Sequence, residues 1–275
     1  MAIHLGGGAV SKLMLGASAV QRAYLGASAV YDSASGPTLA DVLAIPEVDG
    51  VFVPEPAYTY TDAGTTPVSA DGDLVQELHC AAGSGVVLAL AGSGLTWHTD
   101  GSRQWLDGNG TGMLAGSAKE TWAPSFFMAI GARNTTTNFA RIFTVGSPTE
   151  GDKQHYLASN PSEPNIGYLG LDGNGASWSS PGAGAIGAGD DVVILAEITS
   201  GSATATVNGA TQSPNSHVYG GAASDEISLL GRNDQTGRTP NAGRVYGAVV
   251  ASGIPSAADR DTIQQWLASR AGVSL

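Results

Sequence analysis

DVVILAEITSGSATATVNG, residues 191–209, is the stretch on which the fold turns. Residues 191–199 are an almost unbroken aliphatic run of strand length, which predicts a central strand. Residues 203–207 either pair with that strand or follow it. Asn208-Gly209 is the strongest short turn signal in the chain, because a tight hairpin needs positive φ at both central positions.

The same grammar extends outward in both directions. Residues 125–132 (SFFMAIGA) predict another strand buried on both sides, and residues 140–145 alternate. Residues 165–171 run into Asp172-Gly173, a hairpin signal, and residues 226–230 and 244–251 complete the series. Upstream, 50–53 reads as a strand stopped by Pro54 and Pro56, whereas 39–43 fits one helical turn or a short strand. Leu-Asp-Gly-Asn-Gly occurs at 106–110 and again at 171–175, and both copies read as tight turns. The one convincing helix is C-terminal, over 256–271. Ser256 is its N-cap, Asp259 sits at N3, Ile263, Trp266, Leu267 and Arg270 form one stripe, and Gly272 is the stop. Thirty-nine glycines among short apolar runs point the same way, to an all-β fold.

The first 31 residues follow a different rule. Leu-Gly-x-x-Ala-Val begins at Leu5, Leu15 and Leu25, at a period of ten. Each unit reads as a short strand ending at a Gly-rich reversal. Val10, Lys12 and Met14 share one face and Ser11, Leu13 and Leu15 the other, so neither face is cleanly polar. A unit this small cannot bury itself, which makes 1–31 an oligomerising or docking segment. Its contact residues are Leu5, Val10, Leu15, Val20, Tyr24, Leu25 and Val30. Residues 32–37 (DSASGP) are a linker, and 38–275 form the main domain.

Composition narrows the functions. The net charge is −12, with 12 Lys+Arg scattered singly, so no basic face for nucleic acid is visible. The longest apolar runs, 86–91 and 192–196, are too short to span a bilayer, and no membrane insertion is expected. The first residues lack the basic and apolar regions of a signal peptide. One cysteine, Cys80, excludes an intrachain disulfide and reads as a small buried residue.

Two resemblances add to this reading. Tyr24-Leu25-Gly26-Ala27-Ser28-Ala29-Val30-Tyr31 resembles the opening segment of many phage and phage-like particle proteins, especially structural and fibre-type ones. Residues 60–75 (YTDAGTTPVSADGDLV), Thr99-Asp100-Gly101, Trp105-Leu106-Asp107-Gly108 and the closing helix resemble the laminin-G-like, concanavalin-type jelly-roll group. Asn109-Gly110 stands where that group commonly carries two acidic residues. The resemblance implies a concanavalin/laminin-G-like jelly-roll β-sandwich with one C-terminal helix, preceded by a short β-repeat segment. It also implies a virion structural protein, homotrimeric in habit, assembled in a host cytoplasm and placed on the virion surface.

Catalytic patterns are missing. The paired carboxylates of jelly-roll glucanases, the Gly-x-Ser-x-Gly elbow and His-Glu-x-x-His do not occur, and the five histidines lack metal-ligand spacing. Glu197, alone in a strand, reads as a solvated or paired group. Binding fits better. Sugar sites set a flat aromatic ring beside amides or carboxylates. Trp178 lies in a polar Gly/Ser context and is the candidate exposed ring, and Asn174 and Tyr219 are the further candidates for the sugar site. Trp97 and Trp105, which flank Asp100, are expected to pack in the fold. Oxygen ligands at Asp100, Asp107 and Asn109 would suit calcium; Gly-rich Asp/Asn turns without metal are the commoner case, and no cofactor is expected. The expectation is a non-enzymatic fibre or spike subunit displaying a lectin-like domain to host-surface glycan. The alternatives are a capsid decoration protein gripping other virion proteins through its repeat, and a glycan-cleaving enzyme.

Overall fold

The computed structural model describes residues 36–117, 125–135, 140–146, 154–159, 167–172, 189–199, 202–211, 215–216, 226–234 and 237–275, some strands by backbone alone, and the backbone of four short strands before residue 33. In the N-terminal repeat, β1 (Met14–Leu15) pairs with β2 (Ser18–Ala19), and β3 (Arg22–Leu25) with β4 (Ser28–Asp32). Leu15 pairs with Ser18 and Leu25 with Ser28. Leu5, Val10 and Val20, and the side chains of Leu15, Tyr24, Leu25 and Val30, lie outside the described residues.

Residues 39–43 resolve into a helix, α1 (Leu39–Leu43), because Thr38 and Asp41 close a capping box at its start. The strands then follow in order: β5 (Val48–Phe52), β6 (Thr59–Tyr60), β7 (Glu77–His79), β8 (Val87–Gly92), β9 (Leu95–Thr99), β10 (Gln104–Asn109) and β11 (Gly112–Ser117). Next come β12 (Phe126–Asn134), β13 (Ala140–Gly146), β14 (Gln154–Ser159), β15 (Gly167–Asp172), β16 (Asp191–Thr199) and β17 (Ser202–Val207). The chain closes with β18 (Ala210–Thr211), β19 (Asn215–Ser216), β20 (Glu226–Leu229), β21 (Gly231–Asp234), β22 (Gly237–Pro240), β23 (Ala242–Ala251) and α2 (Ala257–Ala271).

Among the described residues β5–β20 and β23 form two antiparallel sheets, one of nine strands and one of eight, and β21 and β22 pair with each other as a separate hairpin. The front sheet runs β18-β17-β16-β12-β23-β10-β9, with β5 beside β23 and β19 beside β17. The back sheet runs β15-β14-β13-β20-β11-β8-β7-β6. The strand over 191–199 is central as expected, and 202–207 pairs with it, Ile194 facing Val207. Asn208 (φ 45°) and Gly209 (φ 82°) make the turn that follows.

Alternation splits the front sheet into two apolar faces. Phe126, Met128, Ile130, Val192, Ile194 and Val250 point inward, against Leu88, Leu114, Phe143, Ile227 and Leu229 of the back sheet. Phe127, Ala129, Val193, Leu195 and Val249 point outward, and α2 covers them with Ile263, Trp266 and Leu267. This is why the strands read as unbroken apolar runs: both of their faces are covered. Gly131 and Gly247 pair beneath the helix, where a Cβ on Gly131 would lie 3.3 Å from the Leu267 carbonyl oxygen. No described helix is long and apolar enough to cross a membrane.

Candidate functional site

The uncovered part of the front sheet's outer face carries a polar ladder. Asp107, Arg244, Arg133 and Asp191 are successive cross-strand partners on β10, β23, β12 and β16. Two arginines directly opposite one another repel, and a carboxylate on each outer side offsets this. Arg133 donates from two nitrogens to Asp191, Arg244 Nε donates to Asp107 at 2.8 Å, and Tyr246 Oη donates to Asp191 at 2.6 Å. Beside the ladder, the Trp105 ring stands between His98, stacked at 5.8 Å, and the Arg244 guanidinium at 5.2 Å. His98 is held in turn by Asp71 at Nδ1 and by the Thr96 hydroxyl at Nε2, both at 3.0 Å. With His98 and Arg244 packed against it, the indole is a pillar of the sheet and not an open platform. Trp97 is buried and donates to the Pro54 carbonyl at 2.6 Å.

The three oxygen-bearing residues considered for calcium do not converge. Asp100 precedes β10 and Asn109 ends it, about 20 Å apart at the rise of a strand. Asp100 closes its own turn: it accepts from the Ser102 hydroxyl and from the backbone N–H groups of Arg103 and Ser102, and Arg103 Nε donates to its second oxygen. The Ser102 hydroxyl, then the two backbone groups, hold its carboxyl well below the usual range. Asp107 is committed to Arg244, and Asn109 Oδ1 accepts the N–H and hydroxyl of Thr111 in the β10–β11 turn. Among the described residues no group of three His, Cys, Asp or Glu could hold a metal ion. Glu197 is paired with Arg260 of α2 at 3.2 Å.

The outer face of the back sheet is different. The β21–β22 hairpin folds over its middle, where the hydroxyls of Thr144 and Ser228 both donate to the Gly231 carbonyl. Ala91, Met113 and Ala115 are buried there. Towards the β6 edge the face is partly covered, since the turn at Gly64 packs on it: a Cβ there would lie 3.0 Å from the His79 ring and 3.2 Å from Glu77 Oε2. Ala89 is exposed, Glu77 lies opposite it, and Tyr60 lies opposite Glu77. His79 donates from Nε2 to Glu77 Oε2 at 2.9 Å, and its ring meets that of Tyr60 at 4.5 Å. Leu78, between Glu77 and His79, is fully buried, so the two polar side chains point out. The sequence reading passed over this corner, since a lone Glu-x-His carries no motif.

Trp178, Asn174 and Tyr219 lie outside the described residues. The strand ends that lead to them do not. Ser117 pairs with Glu226, Gly146 with Gln154, Gln154 with Asp172, and His79 with Val87, so all of these mark one rim of the back sheet. Residues 173–188, with Asn174 and Trp178, follow Asp172, and residues 217–225, with Tyr219, precede Glu226. The Tyr60–Glu77–His79 corner sits at that same rim.

Two packed antiparallel sheets with a C-terminal helix against one of them define the class: a jelly-roll β-sandwich of the concanavalin/laminin-G-like kind. Solved structures share this fold. Domain 4 of AbnA, a GH43 extracellular arabinanase from Geobacillus stearothermophilus solved with arabinotriose, is 11% identical with a TM-score of 0.53, and the match covers 71% of this chain and 100% of that one. The botulinum neurotoxin serotype C1 binding domain is 11% identical with a TM-score of 0.56, over 80% of this chain and 52% of that one. Trypanosoma rangeli sialidase is 10% identical with a TM-score of 0.53, over 82% of this chain and 33% of that one. This chain therefore spans a whole domain of the first, about half of the second and a third of the third. The sequence matches no protein-family model and no curated protein.

Proposed function

We propose that this chain is a non-enzymatic structural protein of a virion surface, a fibre or spike subunit whose jelly-roll domain binds host-surface glycan. The observation that carries the glycan reading is the fold, which the chain shares with an arabinanase domain solved with arabinotriose. The rim of the back sheet is consistent with it, because Asp172, which precedes the segment with Asn174 and Trp178, and Glu226, which follows the one with Tyr219, lie on the same rim three strands apart. The non-enzymatic part is supported by the ion pairs: Glu55, Asp100, Asp107, Asp191 and Glu197 each face an arginine. A carboxylate neutralised in that way is a poor general acid or base at neutral pH. The virion part is supported by the N-terminal segment and its resemblance to phage particle proteins. A glycan array probed with the full chain is the test. Binding should be detected and should fall about tenfold or more in Trp178→Ala, on the scale of a lost aromatic contact. An array without signal would sink the lectin reading.

A second reading, capsid decoration, is favoured by the repeat. Two consecutive hairpins of two to five residues per strand are too small to be stable alone and must lie on a partner. Copy number per particle separates the two, since decoration needs hundreds of copies and fibres far fewer.

A further inference from the structure

We infer that the ligand of this domain is an uncharged glycan, and that the Tyr60–Glu77–His79 corner of the back sheet contacts its hydroxyls. This rests on the glycan-binding reading above and names its ligand class.

The corner has the right chemistry. Glu77 and His79 are 21% and 31% exposed, on the outer face of an edge of the sheet. An ionised carboxylate only accepts, so His79 Nε2 carries the proton shared with Glu77 Oε2. Glu77 Oε1 is left as an acceptor on a side chain that is part exposed. Sugar hydroxyls are donors that suit it, and a bond to a carboxylate is charge-assisted. The Tyr60 phenol donates to the Ala57 carbonyl at 3.1 Å, which fixes the ring beside His79. Exposed Ala89, on the next strand, provides a flat floor about 5 Å away.

An acidic sugar finds no counterpart here. It would bring a second carboxylate up to Glu77, and two carboxylates sharing a site cannot both stay ionised. Among the described side chains, Arg103, Arg133, Arg244, Arg260 and Arg270 each face a carboxylate. By sequence, the four segments that join this rim (118–124, 147–153, 173–188 and 217–225) hold two lysines against four Asp and Glu. The whole chain carries −12, so the long-range field also repels acidic glycans.

The test is calorimetric titration of the full chain with one oligosaccharide, with and without a terminal sialic acid. The expected result is that the neutral form binds about tenfold tighter or better, and that Glu77→Gln weakens it about tenfold, the size of a charge-assisted hydrogen bond. His79→Gln should weaken it as well, with the melting temperature of both variants unchanged. Equal or tighter binding of the sialylated form overturns the inference. Neutral binding that survives both Glu77→Gln and His79→Gln but is lost in Trp178→Ala overturns the corner while leaving the glycan reading standing. Binding of no oligosaccharide, on the calorimeter or the array, overturns both.

Discussion

Tyr246 shows what single residues contribute. It is almost fully buried, and its hydroxyl donates to Asp191 across two strands. Burial first, and that hydrogen bond second, push its phenol from 10.0 up to about 12. A raised acid favours the protonated form in the native state. Its contribution to stability is complete below the unfolded value and is lost as pH rises through the folded one, over the window from 10.0 to about 12. Ultraviolet titration of the folded protein should show one tyrosine ionising late, near the alkaline unfolding transition, and Tyr246→Phe should abolish that phase. A Tyr246→Phe protein with an unchanged titration curve would contradict the assignment. Nothing in the sequence pointed to this pair. Tyr246 and Asp191 are 55 residues apart, and Tyr246 reaches the outer face only because the register shifts between Gly131 and Ala132 opposite it.

Among the elements, α2 was the most legible and is the most testable. Ser256 caps it by accepting from the Asp259 N–H at 3.2 Å and donating to its carboxylate at 2.6 Å, and Gly272 ends it at φ 75°. Removing the cap in Ser256→Ala should cost about 0.5–2 kcal/mol in urea unfolding. Removing the ring that fills the space over the sheet, in Trp266→Ala, should cost about 3–5 kcal/mol. Trp266 is 3% exposed and lies against Gly247, so little can collapse into the gap. Equal effects of the two variants would mean that the helix is held by its ends and not by its packing. Strands β9 and β14 were not singled out from the sequence, and residues 106–109, read there as part of a tight turn, instead belong to β10, where β23 and β9 pair with them. Their short apolar stretches are mixed with polar or small residues, as in Gln104–Asn109, and give a weaker signal than the doubly covered runs.

For the whole molecule the open question is assembly. The repeat is expected to join three chains, and the sandwich to stand alone. Light scattering should report a trimer for the full chain and a monomer for residues 37–275. Two monomers would make the repeat a dock for another protein and favour decoration, whereas two trimers would remove the repeat's assigned role.

The sequence by itself determined the class of fold and the closing helix. Aliphatic runs of strand length separated by Asn-Gly and Asp-Gly turns can bury their surface only as packed sheets, and the Ser256 cap, the apolar stripe and Gly272 are local signals that neighbours need not complete. The tertiary structure decided which polar side chains are free. Asp100, Asp107 and Asn109 look alike in the sequence as ligand candidates. Register and turn geometry commit them separately to Arg103 with its turn, to Arg244 on β23, and to Thr111. The same register sets Glu77 and His79 side by side on the outer face of β7, next to the edge strand β6. Pairing between strands far apart in the chain is set by the packing of whole faces, and no local pattern encodes it.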